Sequence, residues 1–231
     1  NTIGVKAVTL EGGYKGFRSF ALNYFAQPWK LSVLTGLTGS GKTELIQYIT
    51  DRGYQAVNLE ALANHKGSAF GGIGLGQQPT TEQFQNNLFW AMKAFNPNQT
   101  VWIEDESNAI GRVFIPNELW IQIRQSPLYK VDLCLDERLN RLVKEYSHLD
   151  KEKLANAIQS IRKRLGGQDE QLALQNLQGG YFREVARILL EYYDKAYLKS
   201  INERKHLIHF DREYQTFNAE RILMDIEGAS R

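Results

Sequence analysis

The sequence predicts an α/β protein whose parallel sheet is flanked by helices. Short apolar runs typical of buried strands recur along the first 135 residues, and segments with helical spacing separate them. The predicted strands cover residues 31–35, 55–59, 100–103 and 130–135, followed by a late strand over residues 206–210. Strands that alternate with helices favour parallel pairing, because each crossover helix returns the chain to the same end of the sheet.

A glycine-rich segment joins the first predicted strand to the helix that follows it. It reads GLTGSGKT from Gly36 to Thr43 and fits the phosphate-loop pattern G-x-x-x-x-G-K-[ST] at every fixed position. In such a loop, backbone N–H groups surround a phosphate at a helix N-terminus, a lysine adds positive charge, and a hydroxyl binds Mg²⁺. The motif therefore predicts a P-loop NTPase-like fold. The predicted phosphate-binding residues are Gly36, Thr38, Gly39, Ser40, Gly41, Lys42 and Thr43.

The third predicted strand ends in acidic residues, which is the form of the second motif of a nucleotide site. Glu104 and Asp105 directly follow the apolar residues 100–103. In P-loop proteins an acid at this strand end helps to hold Mg²⁺ near the phosphates. We therefore predict that Asp105, with Glu104 as the alternative, completes a metal site with Thr43. An acidic turn without a function is the other interpretation.

The composition of the chain limits the cellular compartments and binding partners to be expected. No run of 18 apolar residues is present, so the sequence predicts no membrane span and no membrane partner. The single cysteine, Cys134, rules out an internal disulfide and favours a reducing, cytoplasmic compartment. Its position in the fourth predicted strand favours a small core residue over a catalytic thiol. The formal net charge of +2 is too small to predict nucleic-acid binding from bulk electrostatics.

Residues 136–203 have helical spacing and a local excess of basic residues. Eight basic residues and three acidic ones lie between Arg138 and Arg164. Such a cluster suits a polyanion, whereas a solvated helix face explains it equally well. The candidate contacts are Arg138, Arg141, Arg162, Lys163 and Arg164.

A second glycine-rich segment follows the second predicted strand. Five of the ten residues from 67 to 76 are glycine, which favours an irregular loop. Sites in open α/β sheets lie at the carboxyl ends of the strands, where this loop begins. Its polar residues His65, Lys66 and Ser68 are therefore further site candidates, as is Arg112 in the loop after the third strand.

Residues 1–29 are too short to form a core of their own. Residues 8–10 have the pattern of a short strand and residues 14–25 that of a helix, and Pro28 separates both from the strand over residues 31–35. We therefore predict that residues 1–29 are the end of a preceding domain and a linker. Residues 30–231 are the predicted phosphate-loop domain, in which residues 136–203 are mainly helical.

Several longer segments carry a more specific signal than the phosphate loop. They read GLTGSGKTELI, NLEALANHKGSAFG, GQQPTTEQF, EDESNAIGR, KRLGG and EYYD. Together they resemble the C-terminal phosphate-loop domain of the tRNA 2-selenouridine synthase family, over nearly all of residues 30–200. The start, LEGGYKGFRSF, resembles the tail of the rhodanese domain that precedes this domain in the family.

The resemblance implies an enzyme that modifies the wobble 2-thiouridine of tRNA in two steps. Geranyl diphosphate alkylates the sulfur, and selenium from selenophosphate then replaces the geranylthio group, with the upstream rhodanese domain as a partner. The motifs described above make Lys42, Thr43 and Asp105 the predicted catalytic residues, and the local excess of basic residues makes the helical segment the predicted tRNA contact. The sequence departs from the family pattern at Asn58, where an acid is expected, and at Lys66, where arginine is usual.

The chemistry of the phosphate loop, considered without the resemblance, fits the first step, which is alkylation by geranyl diphosphate. A loop that binds the diphosphate of a nucleotide also suits a prenyl diphosphate, whose leaving group needs the same charge stabilisation. The prenyl tail needs an apolar slot. The aromatic candidates are Phe70, Trp102, Phe114 and Trp120, although each also fits a core position.

Two other functions remain open. The first is a nucleotide or small-molecule kinase, in which Arg138, Arg162, Lys163 and Arg164 stabilise the transferred phosphoryl group. The second is a non-catalytic, nucleotide-dependent tRNA-binding module. A kinase should turn over ATP with an acceptor, and a non-catalytic module should bind tRNA without Lys42.

Overall fold

The computed structural model describes residues 9–229 of the chain. Within that range the strands are β1 (Leu31–Thr35), β2 (Gln55–Val57), β3 (Val101–Glu104), β4 (Ala109–Ile110), β5 (Val113–Phe114), β6 (Leu128–Leu133) and β7 (Ile208–Tyr214). The α-helices are α1 (Gly13–Tyr24), α2 (Lys42–Asp51), α3 (Leu59–Ala63), α4 (Thr81–Lys93), α5 (Asn117–Gln125), α6 (Leu135–Tyr146), α7 (Lys151–Ser160), α8 (Arg162–Leu165), α9 (Gly167–Gly179), α10 (Phe182–Glu203) and α11 (Ala219–Ala229).

Five strands form one parallel sheet in the order β2-β3-β1-β6-β7. β1 is central, with its Val33 opposite Ile103 on one side and Leu128 on the other. β4 and β5 form a separate antiparallel pair. Because parallel strands share one carboxyl edge, the segments after β2, β3 and β1 lie side by side along that edge. The predicted fold class is confirmed.

Alternate side chains of β1 enter two hydrophobic cores, one on each face of the sheet. Val33 belongs to the core with α1, α4 and α5, and Leu34 belongs to the core with α2 and α11. All five residues of β1 are buried, as expected for a strand that is covered on both faces. The first core includes Phe25, Phe84, Phe89 and Leu119, and the second includes Leu45, Ile49, Val131 and Ile222.

Helices α6 to α10 form a helical subdomain, which we define as residues 135–203, with a core of its own. Phe70 enters that core from the loop after α3. The helices contribute Leu154, Ile158, Leu177 and Val185, among others. This confirms the prediction of a helical segment after the fourth strand of the sheet. No helix within residues 9–229 is both long enough and apolar enough to cross a bilayer.

The helix α1 packs against α4. The rings of Phe17 and Trp90 stack with centroids 5.9 Å apart, and Arg18 donates a 2.7 Å hydrogen bond to Gln85. The strand predicted over residues 8–10 is not formed at residues 9 and 10, and residue 8 lies outside the described residues. That residues 1–29 are the end of a preceding domain stays a prediction.

The position of Cys134 differs from the predicted one, which was inside the fourth strand. β6 ends at Leu133, so Cys134 lies outside the strand and is the half-buried N-cap residue of α6. Its thiol lies 3.3 Å from the carbonyl oxygen of Gln215. The apolar run of residues 131–135 concealed this boundary, because the first turn of a helix tolerates the same residue types as the end of a strand.

Candidate functional site

The phosphate loop lies at the carboxyl end of the central strand β1 and leads into α2. A Cβ atom at Gly36 would lie 2.1 Å from the carbonyl oxygen of Val131, so no larger residue fits there without a backbone shift. Gly39 and Gly41 have φ angles of 82° and 79°, in the left-handed region that favours glycine. The path of the loop therefore depends on all three glycines.

Asp132 of β6 holds the loop in shape. Its Oδ1 atom accepts hydrogen bonds from the N–H of Leu37 (2.7 Å) and from the hydroxyl of Ser40 (3.2 Å). Asp132 is buried, and its Oδ2 atom lies 3.0 Å from the ammonium of Lys130. Asp132 was not among the predicted site residues, although a single acid within the apolar run VDLCL was a signal.

Lys42 and unpaired backbone donors give the loop the features expected of an anion-binding site. The Nζ atom of Lys42 donates to the carbonyl oxygen of Gly36 at 2.9 Å and lies 5.4 Å from the centre of the Tyr197 ring. The N–H groups of Thr38 and Gly39 have no hydrogen-bond acceptor among residues 9–229. These donors lie in the loop just before α2, whose N-terminus begins at Lys42 and whose dipole also favours a phosphate.

Thr43 is connected to two glutamates. Its hydroxyl donates to Glu60 Oε2 at 2.9 Å. The backbone N–H of Glu60 in turn donates to Glu104 Oε2 at 3.3 Å. Glu60 was not among the predicted site residues. Its signal was an acid three residues after the end of β2, at the same carboxyl edge as the phosphate loop.

Asp105 makes different contacts from those predicted. Its Oδ2 atom accepts hydrogen bonds from the guanidinium of Arg204 at 2.6 Å and from the hydroxyl of Thr35 at 2.7 Å. Asp105 and Arg204 are both buried. A hydrogen bond between Thr43 and Asp105 is not found in the described structure, and Glu104, the alternative prediction, is connected to Thr43 through Glu60.

Burial raises the pKa of three glutamates around the loop. Loss of hydration raises the pKa of Glu104 to about 7, and the charge of Glu60 adds to the effect. Burial also raises the pKa of Glu60, and it raises that of Glu106 well above its usual range. The charge of Lys42 opposes the rise in pKa of all three carboxyls without cancelling it. The site is thus poorly hydrated, so charges within it interact strongly.

Two residues predicted from the second glycine-rich loop contact the helical subdomain. The ammonium of Lys66 pairs with Glu145. Ser68 lines an apolar pocket together with Tyr193, whose hydroxyl accepts a 3.2 Å hydrogen bond from the N–H of Ala69. The loop is therefore attached to α6 and α10.

His65 and Arg112 make no hydrogen bond or ion pair with the phosphate loop among the described residues. His65 packs so closely on the neighbouring backbone that a Cβ at Gly71 would lie 2.9 Å from its Nδ1 atom, and burial lowers its pKa. Arg112 lies between β4 and β5 with an exposed side chain, and its backbone N–H donates to Gln78 at 2.9 Å. That either residue belongs to the site stays a prediction.

The basic residues of the helical subdomain fall into two groups. Arg138 is 4% exposed and donates to the carbonyl oxygen of Thr38 at 3.1 Å, so it does not lie on the surface as the predicted tRNA contact required. Arg141 pairs with Glu44 and lies 4.7 Å from the centre of the Phe217 ring. The remaining three predicted contacts are exposed on α8, and they are Arg162, Lys163 and Arg164.

An apolar pocket begins at the phosphate loop and extends into the helical subdomain. Its empty volume is about 600 Å³, including space that is open to solvent. Thr38 of the phosphate loop and Ser68 of the second loop form part of its wall, and the remaining wall is mainly aliphatic and aromatic. Of the four aromatic candidates for a tail slot, only Phe70 lines this pocket.

The parallel sheet and the loop with its lysine and threonine define a phosphate-loop α/β domain. A family model described as "tRNA 2-selenouridine synthase AAA domain" matches residues 29–221. The chain belongs to the tRNA 2-selenouridine synthase family.

Individual relatives agree with the family model. A protein named tRNA 2-selenouridine synthase from Shewanella frigidimarina is 33% identical over 249 aligned positions, which cover 93% of this chain and 67% of the relative. Proteins of the same name from Nitrosomonas eutropha and Aeromonas salmonicida are each 32% identical. Their alignments cover 87% and 92% of this chain, and 64% and 65% of the relatives. The chain thus spans about two thirds of the length of these relatives.

Proposed function

We propose that this chain is the phosphate-loop part of a tRNA-modifying transferase that places a geranyl group on the sulfur of wobble 2-thiouridine. The observation that carries the proposal is the adjacency of the phosphate loop and the apolar pocket, since Thr38 belongs to both. Geranyl diphosphate has the same two parts, a diphosphate and a hydrocarbon tail. A nucleoside triphosphate has no such tail, so the pocket favours the prenyl donor over the substrate of a kinase.

The chemistry of alkylation suits the residues of the loop. The bond between C1 of the geranyl group and the diphosphate oxygen breaks, and a bond forms between C1 and the thiouridine sulfur. Diphosphate leaves with the bonding electrons, and the N3 proton of the base is released. Lys42 and the N–H groups at the N-terminus of α2 would stabilise the charge that develops on the leaving oxygen. The pocket would fix the tail and thereby orient C1.

Thr43, Glu60 and Glu104 are the residues that would hold a Mg²⁺ ion. Within residues 9–229, no group of three or more acidic, histidine or cysteine side chains is arranged to bind a metal. Mg²⁺ does not need one, because it keeps several waters and binds one or two carboxylates together with substrate phosphates. When bound, the ion would neutralise charge on the diphosphate. Asp105 is left out of this set because its Oδ2 atom is hydrogen-bonded to Arg204 and Thr35 in this structure.

The substrate tRNA would approach the basic residues of α8. Lys163 and Arg164 are exposed. Their helix α8 packs against α10, which lines the pocket. Exposed basic residues bind the phosphates of a nucleic acid without regard to its sequence. A tRNA held there would bring its wobble base towards the end of the pocket at the phosphate loop.

Selenation would require more than this chain. The chain spans about two thirds of the length of its relatives, and the thiol of Cys134 lies 3.3 Å from the carbonyl oxygen of Gln215. We propose that an upstream rhodanese-like domain supplies the reactive thiol, that selenophosphate supplies selenium, and that the whole enzyme works in the cytoplasm.

Mass spectrometry of tRNA nucleosides tests the proposed function. The chain is incubated with thiolated tRNA and geranyl diphosphate, and then with selenophosphate. We expect geranylated thiouridine from this chain, no geranylated product from Lys42→Ala, and no 2-selenouridine from either. Transfer of phosphate from ATP to an acceptor, without any geranylated nucleoside, would contradict the proposal and favour a kinase. Formation of 2-selenouridine would show that the upstream thiol is dispensable.

A further inference from the structure

One face of α10 runs along the apolar pocket from the phosphate loop to the core of the helical subdomain. The residues on that face recur at helical intervals of three or four positions. Those that line the pocket are Phe182, Val185, Ala186, Leu189, Leu190 and Tyr193. One turn further on, the ring of Tyr197 lies 5.4 Å from the ammonium of Lys42.

The end of this face at Tyr193 lies beside the phosphate loop. The hydroxyl of Tyr193 accepts a 3.2 Å hydrogen bond from the N–H of Ala69. The next residue, Asp194, forms a 2.9 Å ion-pair hydrogen bond with Arg138, which also donates to the carbonyl oxygen of Thr38. A diphosphate in the loop would therefore have its first prenyl carbons at Tyr193.

The other end of the face closes the pocket. With a rise of about 1.5 Å per residue, Phe182 lies about 16 Å along the helix axis from Tyr193. Phe182 packs with the core of the helical subdomain, and the ammonium of Lys151 lies 5.7 Å from the centre of its ring. An apolar chain that follows the helix from the loop would meet this ring last.

Ala186 is the smallest residue among those of α10 that line the pocket. Its position is about 10 Å along the helix axis from Tyr193 at the same rise per residue. It is 9% exposed and packs near Leu139 of α6. A longer side chain at this position would project into the pocket partway along its length.

We propose that this face of α10 measures the length of the prenyl chain, with Ala186 leaving room for the distal isoprene unit and Phe182 closing the pocket beyond it. The inference rests on the proposed function and adds to it a chain-length limit with named residues. Removing bulk at the closed end should admit a longer chain, and adding bulk at Ala186 should exclude the geranyl chain while leaving the diphosphate site intact.

Binding of a homologous series tests the inference. Calorimetry would measure the affinities of inorganic diphosphate and of dimethylallyl, geranyl and farnesyl diphosphates for the parent chain and for Ala186→Leu, Phe182→Ala and Ala196→Leu. Ala196 is exposed on the same helix, so its substitution is a matched control. We expect Ala186→Leu to weaken the binding of geranyl diphosphate about tenfold or more. Ala186→Leu should leave the affinities for dimethylallyl diphosphate and inorganic diphosphate unchanged. Phe182→Ala should shift the binding preference towards farnesyl diphosphate.

The outcomes separate this inference from the proposed function. If the parent chain prefers geranyl diphosphate and neither Ala186→Leu nor Phe182→Ala changes that preference relative to Ala196→Leu, the chain-length inference is overturned and the proposed function stands. If no prenyl diphosphate binds the parent chain more tightly than inorganic diphosphate does, the proposed function is contradicted, and the inference with it. Unchanged affinity for inorganic diphosphate confirms that each variant keeps a folded phosphate loop.

Discussion

Arg138 of α6 and Asp194 of α10 form a two-pronged ion pair beside the phosphate loop. The two guanidinium nitrogens lie 2.9 and 2.8 Å from the two carboxylate oxygens, and one of these nitrogens also donates to the carbonyl oxygen of Thr38. The pair joins the helix that lines the apolar pocket to the loop that would bind the diphosphate. Loop and pocket are therefore connected through one buried arginine.

Asp194→Ala should destabilise the chain and weaken diphosphate binding. The substitution leaves the charge of Arg138 buried without a partner, which typically costs about 3–5 kcal/mol. Urea unfolding measures the resulting decrease in the free energy of unfolding. Asp136→Ala is the matched control, because it breaks an ion pair of the same kind with Arg183 in which the side chains are 79% and 40% exposed. Such surface pairs are worth about 1 kcal/mol or less. Equal decreases in the two variants would contradict the role assigned to the buried pair.

The sequence predicted the architecture because the strongest local signals come from the segments that build it. The central strands β1 and β3 are buried throughout and mainly apolar, and the phosphate loop is recognisable from residues adjacent in the chain. The boundaries were less accurate where a side chain rather than hydropathy decides them. β2 was predicted to continue to residue 59 but ends at Val57, because the Asn58 side chain accepts a hydrogen bond from Ala61 N–H and starts α3.

The candidate site was predicted only where its residues are neighbours in the motif. Glu60 reaches Thr43 across 17 positions of the chain, and Asp132 reaches Leu37 across 95. No spacing rule connects such pairs, because the sheet order brings them together. The excess of basic residues in the helical subdomain likewise does not reveal that Arg138 is directed inwards to a carboxylate.

Reversing the exposed basic residues of α8 should weaken tRNA binding and flatten its salt dependence. The test uses Lys163→Glu with Arg164→Glu and leaves Arg162 unchanged, because Arg162 pairs with the buried Glu170 at 3.0 Å. For each phosphate contact that the substitutions remove, the slope of log affinity against log salt should fall by a little under one unit. Lys15→Glu with Lys93→Glu changes the net charge equally on exposed positions of α1 and α4. If the slope of log affinity against log salt is the same for both double variants, α8 does not contact tRNA and its basic residues are only solvated.

Glu104→Gln should stabilise the chain at high pH but not at low pH. Burial raises the pKa of Glu104 from 4.5 to about 7 in the folded state. Between those values the unfolded chain has released the proton while the folded chain retains it, so the folded state loses stability as the pH rises through this window. The neutral amide does not ionise and escapes that loss.

Differential scanning calorimetry at pH 4.5 and pH 8, with a chelator present, measures this effect. The Tm of Glu104→Gln relative to the parent chain should be several degrees higher at pH 8 than at pH 4.5. Glu191→Gln, on an exposed position of α10, serves as the control. A relative Tm of Glu104→Gln that is the same at both pH values would show that Glu104 does not bear the burial cost assigned to it.

The central claim is that the phosphate loop and the apolar pocket together bind a prenyl diphosphate. Lys42→Ala should abolish binding of every diphosphate ligand while the fold survives, because its ammonium lies beside the loop carbonyls and supports no core residue. Lys93→Ala, on an exposed position of α4, is the control. Calorimetry of the parent chain and both variants with geranyl diphosphate, inorganic diphosphate, ATP and GTP is the most direct test. We predict that geranyl diphosphate binds the parent chain most tightly and that only Lys42→Ala loses it. Tighter binding of ATP or GTP than of geranyl diphosphate, or an unchanged dissociation constant in Lys42→Ala, would contradict the claim.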